Sequence, residues 1–495
     1  MGMTEEEYAD IAAACDRLLR APATSVARLA IPTLHFLNEH PSSLAQYDSL
    51  LGERADGGLT VVPKAVIRAG RGLTRSLGAR RRIVPKHHAP FDVVIVSHLL
   101  KAEQLQRADD FYFGALQSQL KDQGATSLLV LIDHSSRGDR DPPASPFPRL
   151  VLSGKVPPAM EAKIWQQCAG AYRALRREAA GSSNSAESRL ALLASRQALA
   201  ASATDNLRMH ASIATICQAV NPRMVITTYE GTVAERLIWH AARTAIRRPL
   251  CVGYQHALVL QRAHAIRRPV AAPGIDCDPD VILTLGEISH TALATSPGLQ
   301  AVRFIQYGSH RRATLPDLPQ PRQRPRRCLV LPDANARECA TLFDFALTCA
   351  RQRPDIDFTL RPHPMVDIRA LLQRQPTLQK LPENVALSVD KPLVQEFAQA
   401  RYCLYRGSSA AMHAVLAGLK PYYLRQPGEL PFDCLSGLAD WRETVTSPED
   451  LSDRIGVADQ STDPVAASEA RSFCERYVAP VRPAAIKDLL AMAIR

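Results

Sequence analysis

Phe91-Asp92-Val93-Val94-Ile95-Val96-Ser97-His98 is the stretch that decides the fold. Four β-branched apolar residues follow a single acid, and the run stops at a serine and a histidine. Apolar at successive positions, it predicts a short strand buried on both faces, as in a parallel sheet, with a loop after it. A helix-like stretch follows from Asp109 to Gln123, then Gly124, then a second apolar run, Ser127-Leu-Leu-Val-Leu-Ile132. Strand, helix and strand in that order make a βαβ unit.

The alternation continues outward. A long helical region covers about 158–220, broken by the Gly-Ser-Ser-Asn-Ser turn at 181–185. Met224-Val-Ile-Thr227, a helix from Val233 to Ile246, Leu250-Cys-Val-Gly253 and Val281-Ile-Leu-Thr-Leu285 follow. This pattern predicts a doubly wound α/β domain over 91–310. Residues 311–327 hold four prolines among arginines and read as a linker. The alternation then restarts with Cys328-Leu-Val-Leu331, a helix at 336–352, and strands at Ile356–Leu360, Val385–Val389, Tyr402–Leu404 and Pro421–Leu424. A second Rossmann-like domain with C-terminal helices is therefore expected over 328–495. Residues 1–90 read as a helical extension followed, from 54, by a basic connector of weak periodicity.

Composition bounds the function. The 495 residues are 46% apolar and 22% charged, which is ordinary globular usage. Sixty Lys+Arg against 49 Asp+Glu give +11. Lys64 to His88 carries eight cations and no acid, and Arg303 to Arg327 carries seven arginines against Asp317, so these segments hold 8 + 6 = +14 and the remainder −3. The basic character is local, which points to an anionic partner at particular places. The Lys64–His88 cluster suits peripheral contact with anionic lipid. It has no aromatic residue to stack bases, so no nucleic-acid partner is expected. Eleven scattered cysteines include no C-x-x-C pair, so neither a zinc site nor a disulfide framework is read. The Asp-x-Asp triplets at 139–141, 276–278, 278–280 and 355–357 sit in turn-like or pre-strand contexts and are read as solvated. The acidic start and the lack of an 18-residue apolar run lead us to expect no signal peptide, no spanning helix and a cytoplasmic location.

Three motifs carry chemistry, each where a strand should end. Arg361-Pro362-His363-Pro364 follows Asp357–Leu360; two prolines stiffen a loop that aims an imidazole and a guanidinium outward, a pair suited to a phosphate oxygen. Tyr405-Arg406-Gly407-Ser408-Ser409 opens a helix, where hydroxyls and free N–H groups suit an anion, although serine there is also an ordinary N-cap. Thr227-Thr228-Tyr229-Glu230-Gly231 puts a carboxylate in reach of a cleft between the domains, as general base or nucleophile, or as a helix-start acid. Weaker signals are the strand-end histidines of Ser97-His98, Asp133-His134, Gly253-Tyr254-Gln255-His256 and Tyr307-Gly308-Ser309-His310; Ser97, His98, His256 and His310 are kept as cleft candidates. No Walker lysine, G-x-G-x-x-G or G-x-S-x-G is present.

The ordered set Tyr229-Glu230-Gly231, His363-Pro364 and Ser408-Ser409, with Glu235-Arg236, Gly253-Tyr-Gln-His256 and Tyr405-Arg-Gly, resembles the motifs of GT-B bacterial glycosyltransferases that use CMP-activated sugars, of the Kdo-transferase, sialyltransferase and capsule-biosynthesis type. The resemblance spans roughly 91–450. It departs from the usual first motif in having Tyr229 where an acid precedes the acid-Gly pair. It implies two Rossmann-like domains, a CMP-sugar donor, a surface-polysaccharide or lipid-linked glycan acceptor, and no cofactor or metal. By the same resemblance Glu230 is the catalytic carboxylate, His363 contacts the CMP phosphate and aids its departure, and Ser408 and Ser409 bind the same phosphate. Arg361 and Arg406 are candidates for the carboxylate of a 2-keto sugar, and Pro364 and Gly407 shape the two donor loops. A CDP-glycerol-type polyol-phosphate transferase and a UDP-sugar epimerase of the same fold are the alternatives.

Overall fold

The computed structural model describes residues 3–493 apart from 21–24, 36–39, 53–60, 78–89, 136–142, 144, 183–184, 271–276, 313–314, 316, 390, 439–440 and 461–462. The Asp-x-Asp triplet at 139–141, Asp276 of the next one, and the Arg80–Arg82 and Lys86 half of the basic segment lie outside these residues.

Among the described residues, thirteen strands form two sheets. The first contains β1 (Val93–Leu99), β2 (Ser127–Asp133), β3 (Arg149–Val151), β4 (Met224–Thr228), β5 (Leu250–Tyr254), β6 (Val281–Thr284) and β7 (Arg303–Gln306), in the order β3-β2-β1-β4-β5-β6-β7. The second contains β8 (Arg327–Leu331), β9 (Asp357–Leu360), β10 (Val385–Leu387), β11 (Tyr402–Tyr405), β12 (Lys420–Leu424) and β13 (Glu443–Val445), in the order β10-β9-β8-β11-β12-β13. Every strand pair is parallel. These are the two Rossmann-like domains expected, with a helical N-terminal region. In each, the order reverses beside the first strand, at β1/β4 and β8/β11, and that reversal opens the crevice where open α/β sheets take ligands.

Burial explains the strands. In β1 every residue but His98 is buried, because helices cover both faces of the sheet. One face of the first sheet packs against helices Pro158–Gly181, Ser185–Ala198 and Ala201–Val220, and against Tyr8, Ile11, Leu18 and Leu34 of the N-terminal helices. The N-terminal region is thus part of the first domain's core. The other face carries Phe113, Leu116 and Leu120, together with Ile486 and Leu489 of the last helix, Ala484–Met492. All eleven cysteines are buried and unpaired.

Three expectations need correction. Within the basic connector, Val61–Leu77 is an α-helix, docked along Pro158–Gly181 through Ala65, Gly72 and Ser76. The helix expected over Asp109–Gln123 shrinks to Leu116–Asp122. There Asp110 accepts the N–H groups of Tyr112 and Phe113 at 2.8 and 2.9 Å, a local alternative to helix bonds. The C-terminal helices do not all stay with the second domain. The chain crosses back at 476–482, where Ala479 N–H donates to Leu285 and Arg482 N–H to Tyr307. Gly308, at φ +103°, permits the crossing, since a Cβ there would meet the Pro480 carbonyl oxygen at 2.2 Å.

Candidate active site

The β4–α loop is built around Glu235. Its buried carboxylate accepts the N–H groups of Glu230, Gly231 and Thr232 at 2.8, 2.8 and 3.0 Å, and the Thr228 hydroxyl at 2.8 Å. Burial and the neighbouring Glu230 charge push its pKa up to about 7. Gly231 sits at φ +80° with Ala265 against it, so a side chain fits neither the angle nor the space. The turn so formed carries Glu230 past the end of β4. Its carboxylate Oε1 lies 2.8 Å from His256 Nε2, beyond the end of β5. Burial pushes the Glu230 carboxyl up, but the charge and hydrogen bond of His256, with His98 and Arg311, outweigh it, and the pKa falls to about 2. Glu230 is an anion at neutral pH.

Around that pair stand residues from three more loops. His98, in β1, has Nδ1 3.0 Å from His134 Nε2. Burial, with His134 and His256 beside it and Glu230 opposing, lowers the His98 pKa to about 4, so its ring is neutral. Tyr112 meets His256 edge-on, with centroids 4.7 Å apart. The Arg311 guanidinium lies 4.4 Å from the Phe111 ring centroid and 4.8 Å from that of Tyr112.

The structure therefore joins two of the weak histidine signals, His98 and His256, to Glu230. It does not join Ser97, which is fully buried and donates to Asp110 at 3.0 Å. Nor does it join His310, whose Nε2 lies 2.7 Å from the Tyr307 hydroxyl beside Gly114, in the packing under the cluster. These two serve the scaffold. Tyr112 and Arg311 had no signal in the sequence: one lies in a segment read as helix and the other in a segment read as linker.

In the second domain, His363 lies on the loop after β9. Its Nδ1 accepts the Met365 N–H at 3.2 Å, which leaves the ring proton on Nε2 as a donor facing away from the loop. Burial lowers the His363 pKa; Asp333 opposes this, while Arg311 of the linker and Lys101 of the first domain lower it further. Lys101 Nζ donates to the Pro364 carbonyl at 3.0 Å. The His-Pro loop and the Glu230 cluster thus face each other across one cleft. Arg361, half-buried, donates to the Lys391 carbonyl at 2.6 Å.

Arg406 is a correction. It is 1% exposed, donates to Glu338 at 2.6 Å and to the Leu424 carbonyl at 3.2 Å, and also pairs with Glu429. With both carboxylates saturating its fork, it anchors the loop and is closed to a ligand. Beside it Ser408 is buried, while Ser409 is exposed at the N-terminus of helix Ala410–Leu416 with no side-chain capping bond. Only one of the two serine hydroxyls is thus free at the surface of the loop. Phe432 lies over Gly407 and 5.0 Å from the His40 ring, while His40 pairs with Asp333 and Ser42 accepts from Asn335 at 2.9 Å. The N-terminal region thus touches the second domain at the end of β8, a contact with no signature in the sequence.

No protein-family model and no curated protein matches the chain. Among solved structures it is similar to the glycotransferase of kitacinnamycin, at 13% identity over 82% of this chain and 99% of that one, with a TM-score of 0.45. It is similar to the glycosyltransferase SnogD from Streptomyces nogalater at 15% identity, 82% and 100% coverage and a TM-score of 0.44. A UDP-GlcNAc 2-epimerase from Methanocaldococcus jannaschii matches at 9% identity, 75% and 93% coverage and a TM-score of 0.42.

Proposed function

We propose that the chain is a glycosyltransferase that moves a 2-keto acid sugar, of the Kdo or sialic acid kind, from a CMP donor to a surface polysaccharide or lipid-linked glycan. The observation that carries this reading is the cleft itself. An ionised carboxylate paired with His256 stands on one side, a neutral imidazole with a free Nε2–H stands on the other, and Lys101 spans the two.

The chemistry follows from the charges. Breaking the bond between the anomeric carbon and the CMP phosphate leaves negative charge on phosphate oxygen. His363 Nε2–H and the Ser409 hydroxyl are donors for it, and Arg311 and Lys101 supply positive charge in the same cleft. The anomeric carbon turns positive as the bond breaks, and Glu230 is the anion that faces it. Glu230 acts there either as acceptor of the incoming hydroxyl's proton or as a nucleophile on carbon; the first inverts and the second retains configuration. A 2-keto sugar carries its own carboxylate, and with Arg406 enclosed, Arg361 and Arg311 are the cations left for it.

A donor panel tests the reading. Incubation with CMP-Kdo, CMP-sialic acid, CDP-glycerol and UDP-GlcNAc should release CMP from a CMP-sugar, and release should rise with a glycan acceptor. Turnover of CDP-glycerol alone, or acceptor-free interconversion of a UDP-sugar, overturns the donor class. CMP binding should weaken in His363→Ala and in Ser408→Ala/Ser409→Ala; if both variants bind CMP like wild type, the donor loops are misassigned.

A further inference from the structure

Among the described residues, helix Val61–Leu77 stands apart from the other helices. Its seventeen residues, Val-Val-Pro-Lys-Ala-Val-Ile-Arg-Ala-Gly-Arg-Gly-Leu-Thr-Arg-Ser-Leu, contain four cations and no acid. Three small residues, Ala65, Gly72 and Ser76, form its buried face against helix Pro158–Gly181. Gly72 allows the close approach, since a Cβ would meet Glu161 Oε1 at 2.2 Å. The rest of the circumference is open.

That open surface has two parts. Val62, Val66, Leu73 and Leu77 are 45%, 66%, 38% and 78% exposed, and at 100° per residue they fall within a 60° arc. Ile67, 55% exposed, lies about 80° further round, between that stripe and the cations. Among the described residues, five of the eleven exposed large hydrophobics belong to this one helix, so they form a patch and are not scattered chance exposures. Lys64, Arg68, Arg71 and Arg75 occupy a second arc of equal width on the opposite flank, Arg68 also donating to the Leu199 carbonyl at 2.7 Å.

We propose that this helix is a membrane-docking element that lies in the interface of an anionic bilayer, with its apolar stripe among the acyl chains and its cations on lipid phosphates. A protein partner would need an apolar groove next to a row of acids. An anionic bilayer takes a helix with an apolar stripe on one flank and cations on the other, because the stripe enters the acyl boundary while the long Lys and Arg side chains snorkel to the headgroup phosphates, and the absence of any acid in the helix complements it. The helix is held by one face and open on the rest, as an element that must reach a plane requires. No helix among the described residues is long and apolar enough to cross a membrane, so contact of this kind is peripheral. The inference does not depend on which sugar is transferred. It adds to electrostatic attraction a penetrating apolar stripe that the sequence reading did not contain.

The test is flotation of the full-length protein with phosphatidylcholine vesicles, with and without phosphatidylglycerol. Wild type should float only with the anionic vesicles. Lys64→Gln/Arg71→Gln/Arg75→Gln should lower partitioning about a hundredfold, roughly fivefold per cation. Val62→Ser/Val66→Ser/Leu73→Ser/Leu77→Ser should lower it about tenfold or more and leave high-salt washing with nothing to retain. Both variants change exposed side chains and should keep the wild-type melting temperature and the wild-type turnover of a soluble acceptor. Loss of turnover in wild type would strike the proposed reaction and leave docking standing. Binding by the serine variant equal to wild type overturns the inference. So does a wild-type dimer that the serine variant dissolves while neither protein floats.

Discussion

Arg361 and Arg406 stand at matching places in the second domain, each just after a strand of the same sheet, yet they have opposite fates. Arg361 is half-buried and donates to the Lys391 carbonyl and, at 3.5 Å, to the Ser388 hydroxyl, with no carboxylate bonded to it, whereas Arg406 is 1% exposed and held by Glu338 and Glu429. The same contrast separates the two sheets. The strand ends of the first gather Glu230, His256, His98, Tyr112 and Arg311, while the second offers a single imidazole, a hydroxyl and backbone donors. A strand-end position brings a side chain to the cleft's edge. Whether it stays free there is decided by the partners that other segments supply.

The contrast can be broken by mutation. The largest effect should come from the first sheet: Glu230→Gln should lower kcat/KM by about 10²–10⁴, with the melting temperature nearly unchanged. In the second sheet the arginines should divide. Arg406→Met strands the 7%-exposed Glu338 carboxylate and should cost about 3–5 kcal/mol of unfolding free energy in urea. Arg361→Met should cost within about 0.5 kcal/mol and show its effect on donor KM instead. Equal destabilisation by both would erase the distinction. Lys101→Met removes the hydrogen bond between the sheets and should lower kcat/KM about tenfold without changing stability.

The smallest effect is one of pH. His363 has its pKa lowered from 6.5 by burial first, and its neutral form accepts the Met365 N–H. Protonation turns Nδ1 into a donor and breaks that bond, so activity is full above the His363 pKa and falls as pH drops through it. The acid limb of kcat/KM should lie below pH 6.5 and should shift in His363→Gln. An acid limb unchanged in that variant would assign it elsewhere. Glu230, with a pKa of about 2, stays ionised through this range.

The central strands were legible because they are buried on both sides: Val93–Val96 and Met224–Ile226 are continuous apolar runs where helices cover both faces. Three of the four edge strands were not. Arg149–Val151, Arg303–Gln306 and Glu443–Val445 are short, partly exposed and polar, so no apolar run marks them. Tyr112 was hidden for another reason. Its segment has helical periodicity, but the Asp110 carboxylate captured its N–H and made a loop of it.

Local sequence was enough to determine the alternation of buried strands and helices, the two Rossmann-like halves, and the three loops that carry Glu230, His363 and Ser409, because period, proline and glycine act within a few residues. Only the tertiary structure decided that Glu230 meets His256, that Lys101 reaches Pro364, that Arg406 is enclosed, and that a basic segment is a helix with an apolar stripe left open. Those outcomes depend on pairs of residues from 23 positions apart, as for Arg406 and Glu429, to 263 apart, as for Lys101 and Pro364. A charged side chain's availability is set by desolvation and by the partner it meets, and neither is a property of the residue alone.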